Sequence, residues 1–174
     1  MLLSRMKSSA QWVIVVTIFV AVLRSQIAVA SDDLPSIEEF YNTSNKDNLI
    51  EKVDAFYDEG VKFTDPVGTI EGRKNLTGYL AHMYENLISI HFDMHETQRQ
   101  GNTVFATWTM KVRHKKLNSG DEIVVAGVSH INFSGGKAVY HRDYFDLGEM
   151  IYEHVPVLGW LTRWVKSKAA WPQN

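Results

Sequence analysis

The chain has no cysteine among its 174 residues. That absence excludes disulfides, thiolate metal sites and a cysteine nucleophile, and it leaves stability to the hydrophobic core. Proline is scarce, with four residues in all, and no repeat, low-complexity tract or linker interrupts the sequence. There is no basic excess either: 18 Lys and Arg stand against 20 Asp and Glu. That balance speaks against a nucleic-acid-binding face. Long apolar runs are also missing. The longest, "WVIVVTIFVAVL" (residues 12–23), falls short of the ~20 residues a helix needs to cross a bilayer.

That run nevertheless sits in a meaningful place. Arg5 and Lys7 precede it, and "AVA" (residues 28–30) follows it, directly before Ser31. A basic start, an apolar middle and a small-residue end describe a secretory signal peptide over residues 1–30, and hence an exported (periplasmic or secreted) protein. Arg24 near the cleavage region keeps an uncleaved membrane anchor open as the alternative. Residues 31–174 then make one domain. Without Arg5, Lys7 and Arg24 it carries 15 basic against 20 acidic groups, a formal charge of −5.

Periodicity divides this domain into helices followed by strands. Ile37, Phe40 and Tyr41, then Leu49, Val53, Phe56 and Tyr57, recur at helical spacing and predict two short helices up to Asp58, broken at "NTSNKDN". Val61–Thr64 reads as a strand. Arg73–Leu87 reads as a third helix with Leu76, Leu80, Met83, Tyr84 and Leu87 on one face. Alternation then takes over: Ile90, Phe92 and Met94; Val104, Ala106, Trp108, Met110 and Val112; the run from Ile123 to Phe133; and Ala138 to Asp146. Such an order predicts an α+β fold, with helices packed on one face of a mostly antiparallel sheet.

One stretch asks for chemistry: "VKFTDPVG" (residues 61–68) ends a strand with Asp65 directly before Pro66. Proline restricts the residue before it to extended backbone. Asp65 therefore either closes a turn or aims a carboxylate into a cavity.

With two helices ahead of "FTDPVG", the element order resembles the nuclear transport factor 2-like superfamily. It is similar above all to SnoaL-like proteins that carry "YHRDYFDLG" near the C-terminus. The resemblance covers about Leu34 to Asp146. It implies a cone-shaped curved sheet wrapped around N-terminal helices, with one deep, mostly apolar pocket and here an extra C-terminal helix. Against the ketosteroid isomerases of that superfamily, "DPVG" places Asp65 at the position of the proton-shuttling base. Tyr41 takes the position of the tyrosine that donates to the oxyanion. "VVAGVSHINFSG" places Ser129 where the family has a second donor, a protonated Asp. A serine hydroxyl is a poorer donor toward a developing enolate, so the resemblance does not extend to steroid isomerisation itself.

Strand parity supplies the rest of the pocket. Ser129 shares a face with Ile123, Val125, Ile131 and Phe133. A three-residue loop, Ser134-Gly135-Gly136, pairs Ser129 with His141 and Gly127 with Asp143, turning His141, Asp143 and Phe145 inward and Arg142 and Tyr144 outward. A two-residue Gly-Gly loop shifts the pairing by one and brings Arg142 inward instead. On the first register, Asp65, Tyr41, Asp143 and His141 form the catalytic set, and Ser129, Trp108 and Phe145 contact the substrate.

Two carboxylates, an imidazole and hydroxyls among apolar walls suit proton transfer, dehydration or water attack on a small apolar molecule. No cofactor or metal is expected. "HFDMH" (residues 91–95) does not make a metal site, because on a strand His91 and His95 stand about 13 Å apart. A non-catalytic carrier or sensor of a lipid-like molecule remains the other reading. Val124, Ala126 and Val128 give the sheet an apolar outer face, which points to a homodimer or to cover by the C-terminal segment. That segment, "LGWLTRWVKSKAAW", reads as a helix docked on its own domain, or as one in peripheral contact with a membrane surface.

Overall fold

The computed structural model describes residues 34–171. The expected leader, residues 1–30, lies outside the described residues. Helix α1 (Ile37–Thr43) starts where Ser36 Oγ accepts the Glu39 N–H at 3.2 Å, with Glu38 and Glu39 in its first turn. Both features suit the exposed N–H groups of a helix start. The expected break follows, held by Asn45 and Asn48, whose side-chain oxygens accept the N–H groups of Asp47 (2.9 Å) and Asn45 (2.8 Å). Helix α2 (Leu49–Phe56) buries Leu49, Val53 and Phe56.

The sequence reading carried this helix to Asp58 and began the strand at Val61. The chain instead enters strand β1 (Tyr57–Thr64) immediately after Phe56. Tyr57 stands four residues after Val53 and so completes a helical stripe, yet its ring is buried from a strand. Only pairing with a distant strand decides such a position, and β1 finds that partner, running parallel to β6.

β1 turns into β2 (Thr69–Glu71), and α3 (Arg73–Glu85) follows, burying Leu76. Four long strands complete the sheet: β3 (Leu87–Gln100), β4 (Thr103–His114), β5 (Glu122–Ser134) and β6 (Lys137–Phe145). The order is β2-β1-β6-β5-β4-β3. All neighbours are antiparallel except β1 and β6. The sheet is curved and unclosed, and the helices pack inside its curve, as the α+β cone expected from the sequence requires.

The core has two parts. One lies between the first three helices and the sheet and includes Phe40, Val53, Phe56, Tyr57, Leu76, Ile131 and Ala138. The other runs along β3, β4 and β5 through Phe92, Trp108, Met110, Val112, Ile123 and Val125. The inward set predicted for β5 is correct: Ile123, Val125, Ser129, Ile131 and Phe133 are all buried.

The final hairpin corrects the predicted register. Its loop has two residues, Gly135 and Gly136, with φ of 57° and 78°, and Ser134 pairs with Lys137. Positive φ at both central positions matches the turn type that twists with the strands, and glycine takes it without steric cost. Alone, that loop would bring Arg142 inward. A bulge at Val139 adds one residue to β6, so Phe133 pairs with Ala138 but Asn132 with Tyr140. Ser129 therefore faces Asp143 rather than His141, and Gly127 faces Phe145 rather than Asp143. Two shifts of one restore parity. His141 and Asp143 stay inside and Arg142 outside, although neither pairing matched the expected one.

After β6 come a short helix α4 (Leu147–Met150), a 3-10 turn (Tyr152–His154) and helix α5 (Leu158–Ala169). Helix α5 packs chiefly on the 3-10 turn, not across its own sheet. Val124 on the sheet's outer face is exposed.

Candidate functional site

Three elements deliver polar side chains to one place. Helix α1 brings Tyr41, which is fixed by its neighbour Asn42. The Asn42 amide donates to the Phe92 carbonyl at 2.9 Å, and its oxygen accepts the Phe92 N–H at 2.8 Å. Phe92 belongs to edge strand β3, so α1 supplies hydrogen bonds that no further strand provides. The Tyr41 ring then stacks on Phe92, with centroids 4.1 Å apart. Strand β5 brings Ser129, and β6 brings His141 and Asp143.

These groups form a continuous network centred on Asp143. Its Oδ1 accepts from Ser129 Oγ at 2.6 Å, lies 2.9 Å from His141 Nε2 and accepts from Tyr41 Oη at 3.0 Å. Its Oδ2 accepts from Tyr41 at 3.1 Å and from no other side chain among the described residues. Behind this group, Tyr57 Oη lies 2.7 Å from His141 Nδ1, and Trp108 Nε1 donates to Ser129 Oγ at 2.9 Å. One assignment of hydrogens satisfies the whole set: Tyr57 donates to His141 Nδ1, and His141 Nε2–H, Ser129 and Tyr41 all donate to the carboxylate. Burial, and next the charge of Asp143, hold both the Tyr41 and Tyr57 phenols well above their ordinary pKa, so both remain donors.

Ser129 and His141 are fully buried and do not line the cavity. Ser129 is therefore not placed as the substrate contact expected from the sequence; it supports Asp143. Trp108 and Phe145 do line the cavity. Trp108 crosses directly over Gly127, where a Cβ would meet the ring at 2.1 Å. The glycine makes room for the tryptophan, not for Asp143 as the predicted register had it.

Asp65 answers the sequence question in both ways. Its Oδ1 accepts the N–H groups of Val67 (2.8 Å) and Gly68 (2.9 Å), which closes the turn between β1 and β2. Its Oδ2 accepts a hydrogen bond from Tyr79 on α3. Asp65 and Tyr79 both line the cavity. Asp65 and Tyr41 are not bonded to each other: Tyr41 is held by Asp143, and Asp65 by Tyr79. Burial and then the bond to Asp65 raise the Tyr79 phenol far above its usual range, and the charge of Asp143 adds to the rise.

Sequence reasoning missed two residues. Tyr79 follows Leu76 at i+3, a spacing that placed it beside the apolar face of α3. Tyr57 had no usable signal, because its contact with His141 depends on the parallel pairing of β1 with β6.

The cavity they share has a volume of about 450 Å³. Its walls are mainly apolar and aromatic, among them Phe63, Leu80, Met83, Ile90, Phe92, Trp108, Val112 and Phe145. His82, Asn86 and His114 also border it. The two "HFDMH" histidines go elsewhere: His91 meets Asp93 at 3.2 Å and His95 meets Thr109 at 2.8 Å.

A curved sheet folded around helices, with a polar cluster set into an apolar cavity, defines the nuclear transport factor 2-like class of pocket proteins. Within it, residues 37–141 match the SnoaL-like domain family model. The chain belongs to that family. No curated protein matches the sequence. Among solved structures, the chain is similar to a ketosteroid isomerase-like fold protein from Catenulispora acidiphila in complex with trimethylamine. That match has 17% identity, covers 67% of this chain and 85% of the other, and has a TM-score of 0.56. It is also similar to an LEH-like epoxide hydrolase of M. tuberculosis (17% identity, 72% and 89% covered, TM-score 0.53). A third is a nuclear transport factor 2-like protein of unknown function from Burkholderia pseudomallei (22% identity, 58% and 81% covered, TM-score 0.53). At these identities the likeness shows the fold.

Proposed function

We propose that the protein is a cofactor-free enzyme that moves a proton, or activates water, on a small and largely apolar molecule held in the cavity. One observation carries the reading: two carboxylate–tyrosine pairs, Asp65–Tyr79 and Asp143–Tyr41, open on the same apolar space. In each pair one carboxylate oxygen is committed to the structure and the other is held by a single phenol. That leaves each Asp with a lone pair for substrate or water.

In this reading Asp65, at the end of a strand, takes the proton. Asp143 and Tyr41 hold the opposite end of the substrate or its attacking water. Ser129, His141, Tyr57 and Trp108 act as positioning residues that fix Asp143 through its Oδ1. The aromatic walls exclude bulk water, which strengthens every polar contact inside. The reaction of one similar protein, the LEH-like epoxide hydrolase, falls within this chemistry.

Solvent-isotope incorporation tests it. A panel of apolar epoxides, enones and β-hydroxy ketones is incubated in D₂O and in H₂¹⁸O and read by mass spectrometry. Incorporation by the parent, lost in Asp65→Asn while the neutral dye Nile red still binds, supports the enzyme. Dye binding in parent and variant alike, with no isotope incorporated from any substrate, favours the carrier reading.

A further inference from the structure

Helix α5 is amphipathic but mounted the wrong way round for a helix that packs on its own domain. Its polar side faces the protein. Lys166 Nζ meets Glu153 at 2.5 Å and Asp146 at 3.3 Å, and Arg163 donates to the Glu153 carbonyl at 2.8 Å. Gly159 lies so close beneath that a Cβ there would stand 2.2 Å from the Glu153 oxygen. The apolar side faces outward: Val157 is 81% exposed, Trp160 65%, Leu161 45% and Trp164 50%. At 100° per residue these side chains share one stripe, with Lys168 within it.

The chain enters this helix through strained backbone. Val157 has φ 67° and ψ −53°, and the Leu158 N–H donates to the Pro156 carbonyl at 2.8 Å. That is the rare form of γ-turn, and a β-branched residue at positive φ is costly. The strain sets the direction of a helix whose apolar face touches little else.

We propose that α5 lies in the surface of an anionic lipid bilayer, with Val157, Trp160, Leu161 and Trp164 entering the headgroup boundary. Charge complementarity selects this occupant. From Val155 to Asn174 the sequence holds Arg163, Lys166 and Lys168 and no acidic residue. Lys166 is matched by carboxylates of the domain, whereas Arg163 and Lys168 have no carboxylate partner among the described residues. Lys168 stands 5.9 Å from the Trp164 ring, inside the apolar stripe. A second copy seated on that stripe would have to bury the lysine. A lipid interface lets it extend to the phosphates while the tryptophans keep their N–H groups at the polar boundary. The inference is independent of the chemistry in the cavity.

The cysteine-free chain makes the test direct. In the full-length protein, Leu161→Cys carries an environment-sensitive NBD label, and Ile50→Cys on α2 carries it as the control. Vesicles of phosphatidylglycerol and phosphatidylcholine should shift the label at 161 to the blue and leave the label at 50 unchanged. Trp160→Ser with Trp164→Ser, both exposed positions that leave the core intact, should weaken the response about tenfold or more. The same response on phosphatidylcholine alone would support the apolar seat and overturn the role given to Arg163 and Lys168. A label at 161 that stays in water, even when the chain sediments with vesicles through residues 12–23, overturns the proposal. So does a label that becomes shielded without lipid as protein concentration rises, which would assign the face to a second copy.

Discussion

Asp143 and Asp65 border one cavity and each holds a tyrosine, yet they are built differently. Asp143 sits mid-strand in the sheet, and three side chains converge on its Oδ1, with two more behind them. Asp65 sits in a turn, where the backbone satisfies one oxygen and a helix supplies one phenol. The first is fixed by the whole fold, the second by four residues of turn and one contact. A carboxylate anchored through one oxygen by three side chains suits positioning, whereas one anchored by its own turn and a single phenol suits a proton that comes and goes.

Truncation should separate them most. Asp143→Ala strips the acceptor from Ser129, Tyr41 and His141, and should lower the unfolding free energy by about 3–5 kcal/mol. Asp65→Ala loses bonds at a half-exposed turn and should cost about 1–2 kcal/mol. Urea denaturation of both variants decides; equal losses would break the comparison.

Alkaline pH should come next. Tyr41 and Tyr57 have folded pKa values raised well above the ordinary one. Below pH ~10 they are protonated in both states, and their stabilising effect is fully present. Above it the unfolded chain ionises first, so stability falls as pH rises toward the folded values, by up to about 1.4 kcal/mol per unit for each tyrosine. Urea midpoints measured between pH 9 and 11 should show that slope, and Tyr57→Phe should remove the share of one residue.

A smaller effect probes the support behind Asp143. Gly127→Ala drives a methyl into the Trp108 ring, which must move and release Ser129. The expected cost is about 1–3 kcal/mol, with a change in tryptophan emission and no change in the turn at Asp65. The smallest difference is between the phenols. Tyr79→Phe should cost about 1 kcal/mol or less, and Tyr41→Phe, which removes a phenol bonded to the Asp143 network, more than that.

Much of this was legible from local pattern. Alternation along β5 located Ser129, and "DPVG" located the turn carboxylate. Composition and element order led to the fold. What was not legible depended on distance along the chain. The bulge at Val139 leaves no mark in "KAVYHRDYF", because Ala138 and Val139 both suit an inward position. The partner of Asp65, Tyr79, is set by how α3 crosses the sheet, which no local pattern announces. The orientation of α5 was left open by the sequence, because an apolar stripe does not say which way it faces.

A structure of the protein with the ligand that co-purifies with it tests the central claim, that the two carboxylate–tyrosine pairs act on one molecule. The account predicts a single ligand spanning the cavity, with polar atoms within hydrogen-bond distance of Asp65 Oδ2 at one end and of Asp143 Oδ2 or Tyr41 Oη at the other. A ligand that touches only the Asp143 end, leaving Asp65 bonded to Tyr79 and the turn alone, would contradict it and return Asp65 to the role of a turn residue.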